Sequence, residues 1–234
     1  MYSIDYQIHD SFLLSNFINS NSNFAVKADV RYISMHTLAQ TTQNLALALV
    51  LSKQLHNIEY CQKNVSADIP SEDLEDITYN FEGFIRNAFF INFFVYVENH
   101  IRQLAMYFET KPESINTTSI LNTFKNLTTK TQTPISLSDR DTDLFEYYCF
   151  LRNTMHNGGF QTKGDKKIEI VDTESIYGSQ KFELELGTNA PNKISMKQQI
   201  ILHEQVAKIL LKINTQIPVT DFIEHRFTAT GFLK

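Results

Sequence analysis

The chain has 234 residues, 42% of them hydrophobic, with a formal net charge of −5. That length can bury a sizeable core without staples. The acidic balance excludes the uniformly basic surface that marks many nucleic-acid-binding domains, so any site for a polyanion has to be local.

Residues 1 to about 30 mix apolar residues with the polar run "NSNSN" and read as a partly ordered N-terminal arm. The opening "MYSIDYQIHDSFLLSNF" carries Asp5, His9 and Asp10 where a signal peptide needs a basic start and an apolar core, so a cytoplasmic location is expected. Cys61 and Cys149 are far apart and outside any CxxC spacing. This fits a reducing compartment and gives no structural zinc site.

From 31 to 234 the pattern predicts one mainly α domain, an up-and-down bundle of four to five long helices with a β-hairpin inserted near 166–186. A first helix is expected over about 32–64, which lacks Pro and Gly and carries Leu38, Leu45 and Leu49 in a stripe. "SADIPSEDLED" reads as a loop and an acidic helix start. A second helix over about 76–109 is apolar on almost every face in its middle, "NAFFINFFVYV", which suits the centre of a bundle. That run is about half a membrane span and is flanked by Arg86 and Glu98, so no membrane helix is expected.

"TTSILNTFKNL" predicts a short third helix, and "SLSDRDTDLFEYYCFLRNTMHNGG" a fourth, capped by Ser or Asp and closed by Gly158 and Gly159. "KKIEIVD" and "KFELELG" alternate with period two and predict the hairpin. Residues 195–217 return to helical spacing through Leu202, Val206, Ile209 and Ile213 until Pro218, and "VTDFIEHRF" reads as a further short helix.

The end of the fourth helix carries the chemistry. Arg152 and His156 are four residues apart and share a face at the margin of an apolar row formed by Leu144, Tyr148, Leu151 and Met155. The helix C-terminus favours a protonated imidazole while the neighbouring guanidinium opposes it, which poises His156 near neutrality. Arg152 presents a planar fork of donors that matches phosphate oxygens. Such a pair can move a proton at a ribose oxygen and stabilise a phosphorane without metal. Asn153 and Asn157 are candidates to orient a substrate, and Lys163, Lys166 and Lys167 to hold its phosphates. Glu98 has two possible partners, Arg152 across the bundle or Arg102 one turn on. The same ending also fits ordinary helix termination. His36, His56, His100, His203 and His225 show no metal-ligand spacing and read as surface or packing residues, and no Walker, GxGxxG or GxSxG motif occurs.

The string "FLRNTMHNGG", an Arg-Asn pair, a short spacer, a His and then Gly at the end of the fourth helix, resembles the HEPN superfamily of helical domains. The spacer, Asn153 to Met155, is shorter than is usual there, and both side chains still share a face. The resemblance implies a helical bundle that pairs as a homodimer across one cleft. It implies a metal-independent endoribonuclease with Arg152 and His156 as catalytic pair, no cofactor, RNA as substrate, and a toxin or antiviral-defence setting with an antitoxin or other partner protein. It equally admits a non-catalytic module that binds a protein or a nucleotide. A third role, as the modified target of a partner nucleotidyltransferase, would make Tyr147 or Tyr148 the acceptor.

Overall fold

The computed structural model describes residues 2–22, 26–108, 118–129, 135–156, 167–185 and 194–225. Among them are seven α-helices and one two-stranded antiparallel hairpin: α1 (Ile4–Ser20), α2 (Val30–Ser52), α3 (Ile58–Asn64), α4 (Leu74–Phe108), α5 (Ile120–Thr129), α6 (Asp139–His156), β1 (Lys167–Asp172), β2 (Gln180–Glu185) and α7 (Met196–Gln216). Five of the helices are long, and the chain is mainly α as its sequence pattern predicts. None of the described helices is long and apolar enough to cross a membrane.

Two expectations are corrected at the N-terminal end. The first 30 residues do not form a loose arm over their described part. Ser3 caps α1 by accepting from the Tyr6 amide, and α1 runs for 17 residues against α2 with Leu14 and Ile18 fully buried. The helix expected over 32–64 stops at Ser52, passes through a 3-10 turn at Lys53–His56, and restarts as α3. The Asn57 side chain accepts from the amides of Glu59 and Tyr60, which satisfies a new helix start where the sequence offers no Gly or Pro.

α4 is the longest of the described helices, 35 residues or about 52 Å, and it is not enclosed on all sides as its apolar middle predicts, since Ile91, Val95 and Tyr96 are exposed. One side, through Phe89, Phe90, Phe93, Phe94, Val97 and Ile101, enters the core. α7 lies alongside it in the same direction: His203 packs against Phe89, Phe90 and Phe93, and eleven residues further along the Asn214 amide meets His100 at 2.9 Å. α6 runs the opposite way to α7, since Asp141 near its start pairs with Lys212 at 2.8 Å while Tyr148 meets His203. The C-terminal end of α6 and the N-terminal end of α7, closed by a Ser195–Gln198 capping box, therefore share one end of the bundle.

The hairpin register pairs Ile168 with Leu184 and Ile170 with Phe182, and these four side chains face inward, Phe182 against the Tyr147 ring. Gly178, at φ +94°, supplies the left-handed turn residue. Three anchors hold this turn: Asp172 pairs with Arg140, Ser175 and the Ile176 amide donate to buried Glu204, and Tyr177 donates to the Asp10 carbonyl.

No helix forms over the described part of "VTDFIEHRF". After Pro218 the chain turns back and Glu224 bridges to Asp29. Buried Arg31 dictates this path by pairing with Asp29 at 2.7 Å and donating to the carbonyls of Ile217, Pro218 and Asp221. The Asp29 carboxyl lies below its ordinary range because hydrogen bonds from Arg31 and Ile223 outweigh its opposing burial.

Candidate functional site

The last two turns of α6 are built by a mixed pattern of burial. Leu151 and Thr154 face the core, with the Thr154 hydroxyl donating back to the Leu151 carbonyl at 2.7 Å; Arg152 and Met155 are half-buried, and Asn153 is exposed. The helix thus presents Arg152 at the edge between core and solvent, as the row of apolar neighbours predicts.

Arg152 rests on an aromatic floor. Its guanidinium carbon lies 5.3 Å from the centroid of Phe94, whose ring packs in turn against Tyr148 at 5.1 Å. The contact with the π face holds the guanidinium in place without neutralising it. Its one hydrogen bond among the described residues is a long one, 3.4 Å, to the Asn153 side-chain oxygen, and no carboxylate pairs with it there.

Glu98 takes the second of its two possible partners. Arg102 donates to it from Nε at 2.9 Å and from Nη2 at 2.7 Å, so Glu98 is not the counter-ion of Arg152. Lys125 pairs with Glu146 at 2.9 Å. The thiol of Cys149 is pushed up by burial first and then by Glu98 and Glu146, against the opposing pull of Arg152 and Lys125. Cys149 is a protonated packing group here, not a nucleophile.

His156 closes α6, one turn beyond Arg152. Its side chain, and that of Lys167 at the start of β1, lie outside the described residues, as do Asn157, Lys163 and Lys166 altogether. Of the sequence-derived site, the described residues therefore hold Arg152 and Asn153 together, with Glu98 nearby but engaged elsewhere. The histidines read as surface or packing groups include three that are buried, His100, His203 and His225. Among the described residues no three His, Cys, Asp or Glu side chains are grouped to hold a metal ion.

Tyr147 and Tyr148 are both buried, and burial raises both phenols, which removes them as accessible acceptors of a modification. Sequence reading missed Phe94 as part of this site, because it stands inside an apolar run in which nothing local distinguishes the ring that meets Arg152. Its signal was its position one turn before Glu98 on the same helix.

Comparison with known proteins finds no match to the model of any protein family, to any curated protein or to any solved structure.

Proposed function

We propose that this protein is a HEPN-like, metal-independent endoribonuclease in which Arg152 and His156 act on one phosphodiester of RNA. The observation that carries the reading is an arginine held on the ring of Phe94, at the core edge, with no carboxylate partner among the described residues. A guanidinium held at the core edge and open to solvent can take a phosphate bidentately. In the proposed reaction the ribose 2′-hydroxyl attacks the adjacent phosphorus as His156 moves the proton from it or to the departing 5′-oxygen. Arg152 stabilises the charge that builds on the phosphorane. The products are a 2′,3′-cyclic phosphate and a 5′-hydroxyl. Asn153 and Asn157 orient the strand and Lys163, Lys166 and Lys167 hold its flanking phosphates. A homodimer doubles the positive charge in one cleft, and a toxin or antiviral-defence role with a neutralising partner accords with such an activity.

The test is cleavage of a mixed RNA pool in excess chelator by wild type, Arg152→Ala and His156→Ala, with the product ends identified. Cuts ending in cyclic phosphate that fall at least a hundredfold in both variants are expected. RNA left intact by wild type at micromolar protein would reject the proposal.

A further inference from the structure

A second polar feature lies at the same end of the bundle. The N-terminal half of α4 and the start of α7 enclose a groove of about 470 Å³, within the range of small-ligand sites. Asn87 in this groove is seven residues, about 10 Å, before Phe94 along α4. α6 runs antiparallel to α7 and ends at this end of the molecule, so the groove and the Arg152 floor adjoin along one helix.

The lining is unusual for a protein surface. Tyr79 and Phe84, 70% and 68% exposed, line it from α4 together with Gly83, where a side chain would meet nothing within 4 Å, so the space beside Gly83 is open. The amides of Asn80 and Asn87 line it and make no hydrogen bond among the described residues. Gln199 lines it from α7, 4% exposed, with its side-chain oxygen unpartnered. Among the described lining residues the one cation, Arg86, donates to Glu82 and to Gln7, each at 3.3 Å.

Among these described residues a phosphate would find no free cation. A flat, neutral group with a hydrogen-bonding edge fits every feature: faces for Tyr79 and Phe84, donors and acceptors for the Asn amides. We propose that the groove receives one unpaired nucleobase of an RNA strand whose neighbouring phosphate lies at Arg152. This rests on the ribonuclease reading above and adds to it that the substrate is single-stranded at the site and that recognition includes a base.

The experiment measures binding apart from cleavage. A fluorescent hexanucleotide with 2′-O-methyl riboses has no 2′-hydroxyl to attack, so its anisotropy reports equilibrium affinity. The full chain, Tyr79→Ala, Phe84→Ala and Asn87→Ala are compared, each with the intact oligonucleotide and with one made abasic throughout. All three positions are solvent-exposed, so the variants should fold. Roughly tenfold weaker binding is expected for each aromatic variant with the intact strand, and no difference between variants and wild type with the abasic one. Equal affinity of all proteins for the intact strand, or no binding by wild type, overturns the groove proposal. So does a change in sedimentation without a change in affinity, which would assign these rings to a protein contact. The two readings fail separately. Cleavage lost in His156→Ala with unchanged base binding in Tyr79→Ala refutes only the groove. Base binding lost in Tyr79→Ala by a protein that cuts no RNA refutes only the ribonuclease.

Discussion

Lowering the pH from 6.5 to 5 should destabilise the fold through its buried histidines. His203 is fully buried in a cage of Phe89, Phe90, Phe93 and Tyr148, and its Nδ1 is bound to the Gln199 carbonyl at 2.6 Å; burial pulls its pKa down to about 3 against the opposing effect of that bond. His100, bonded to Asn214, is pulled down to about 4, again by burial. Both rings are neutral in the folded protein, while in the unfolded chain they take up a proton near the ordinary value of about 6.5. Between that value and the folded pKa the unfolded state binds more protons, so stability rises with pH and is lost as pH falls. Because the unfolded ring is only half protonated at pH 6.5, each of these two histidines withdraws roughly 1.6 kcal/mol between 6.5 and 5, so the pair withdraws about 3 kcal/mol; His225, buried and likewise shifted down by burial, adds to the loss. That is a large share of the 5–15 kcal/mol typical of a folded domain. Asp29 and Asp141, held below their ordinary values, lose their contribution only further down, as pH falls through their folded pKa, and buried Asp172, shifted upward, acts with the opposite sign. The window from 6.5 to 5 therefore reports mainly the histidines. Urea unfolding at pH 6.5 and 5 measures the drop in wild type and in His203→Phe, a ring the cage can hold. The variant should lose about 1.6 kcal/mol less than wild type between the two pH values, whatever its absolute stability. An equal drop in both proteins would refute the assignment of His203 as a neutral core group.

Arg31→Ala should cost about 3–5 kcal/mol, because it strands buried Asp29 and releases three carbonyls of the C-terminal return; chemical denaturation checks it, and a loss under 1 kcal/mol would contradict the buried pairing. Glu98→Gln breaks a partly exposed one-turn pair with Arg102 and should cost less than about 1 kcal/mol. If Glu98→Gln instead abolished cleavage while leaving stability unchanged, Glu98 would belong to the reacting centre. Cys61 and Cys149 are both free and buried, so a thiol reagent should label neither quickly in the native protein and both in urea, and rapid native labelling of Cys149 would contradict its burial beneath Arg152.

What the sequence discloses depends on whether a contact is local. α4, α6, α7 and the hairpin are legible because their apolar residues recur at 3.6 or 2. α1 is equally periodic but hides its signal: the buried positions Gln7, Ser11, Leu14, Ser15 and Ile18 follow helical spacing, yet three of the five are polar. Those side chains enter the interior because their hydrogen bonds are met there, Ser11 by the Gln7 carbonyl and Ser15 by that of Ala39 on α2. A reading that equates burial with hydrophobicity passes over such a helix. The same limit governs the site. The shared face of Arg152 and His156 follows from spacing alone, since both lie on one helix. That Arg152 rests on Phe94 and that Glu98 turns to Arg102 depend on where α4 crosses α6, a relation set by the whole core. The groove depends still more on such packing, because Asn80, Asn87 and Gln199 are ordinary amides until α7 is laid beside α4. A base-binding surface assembled in this way leaves no contiguous motif, and it shows only when the unpartnered amides and exposed rings are seen on the same groove.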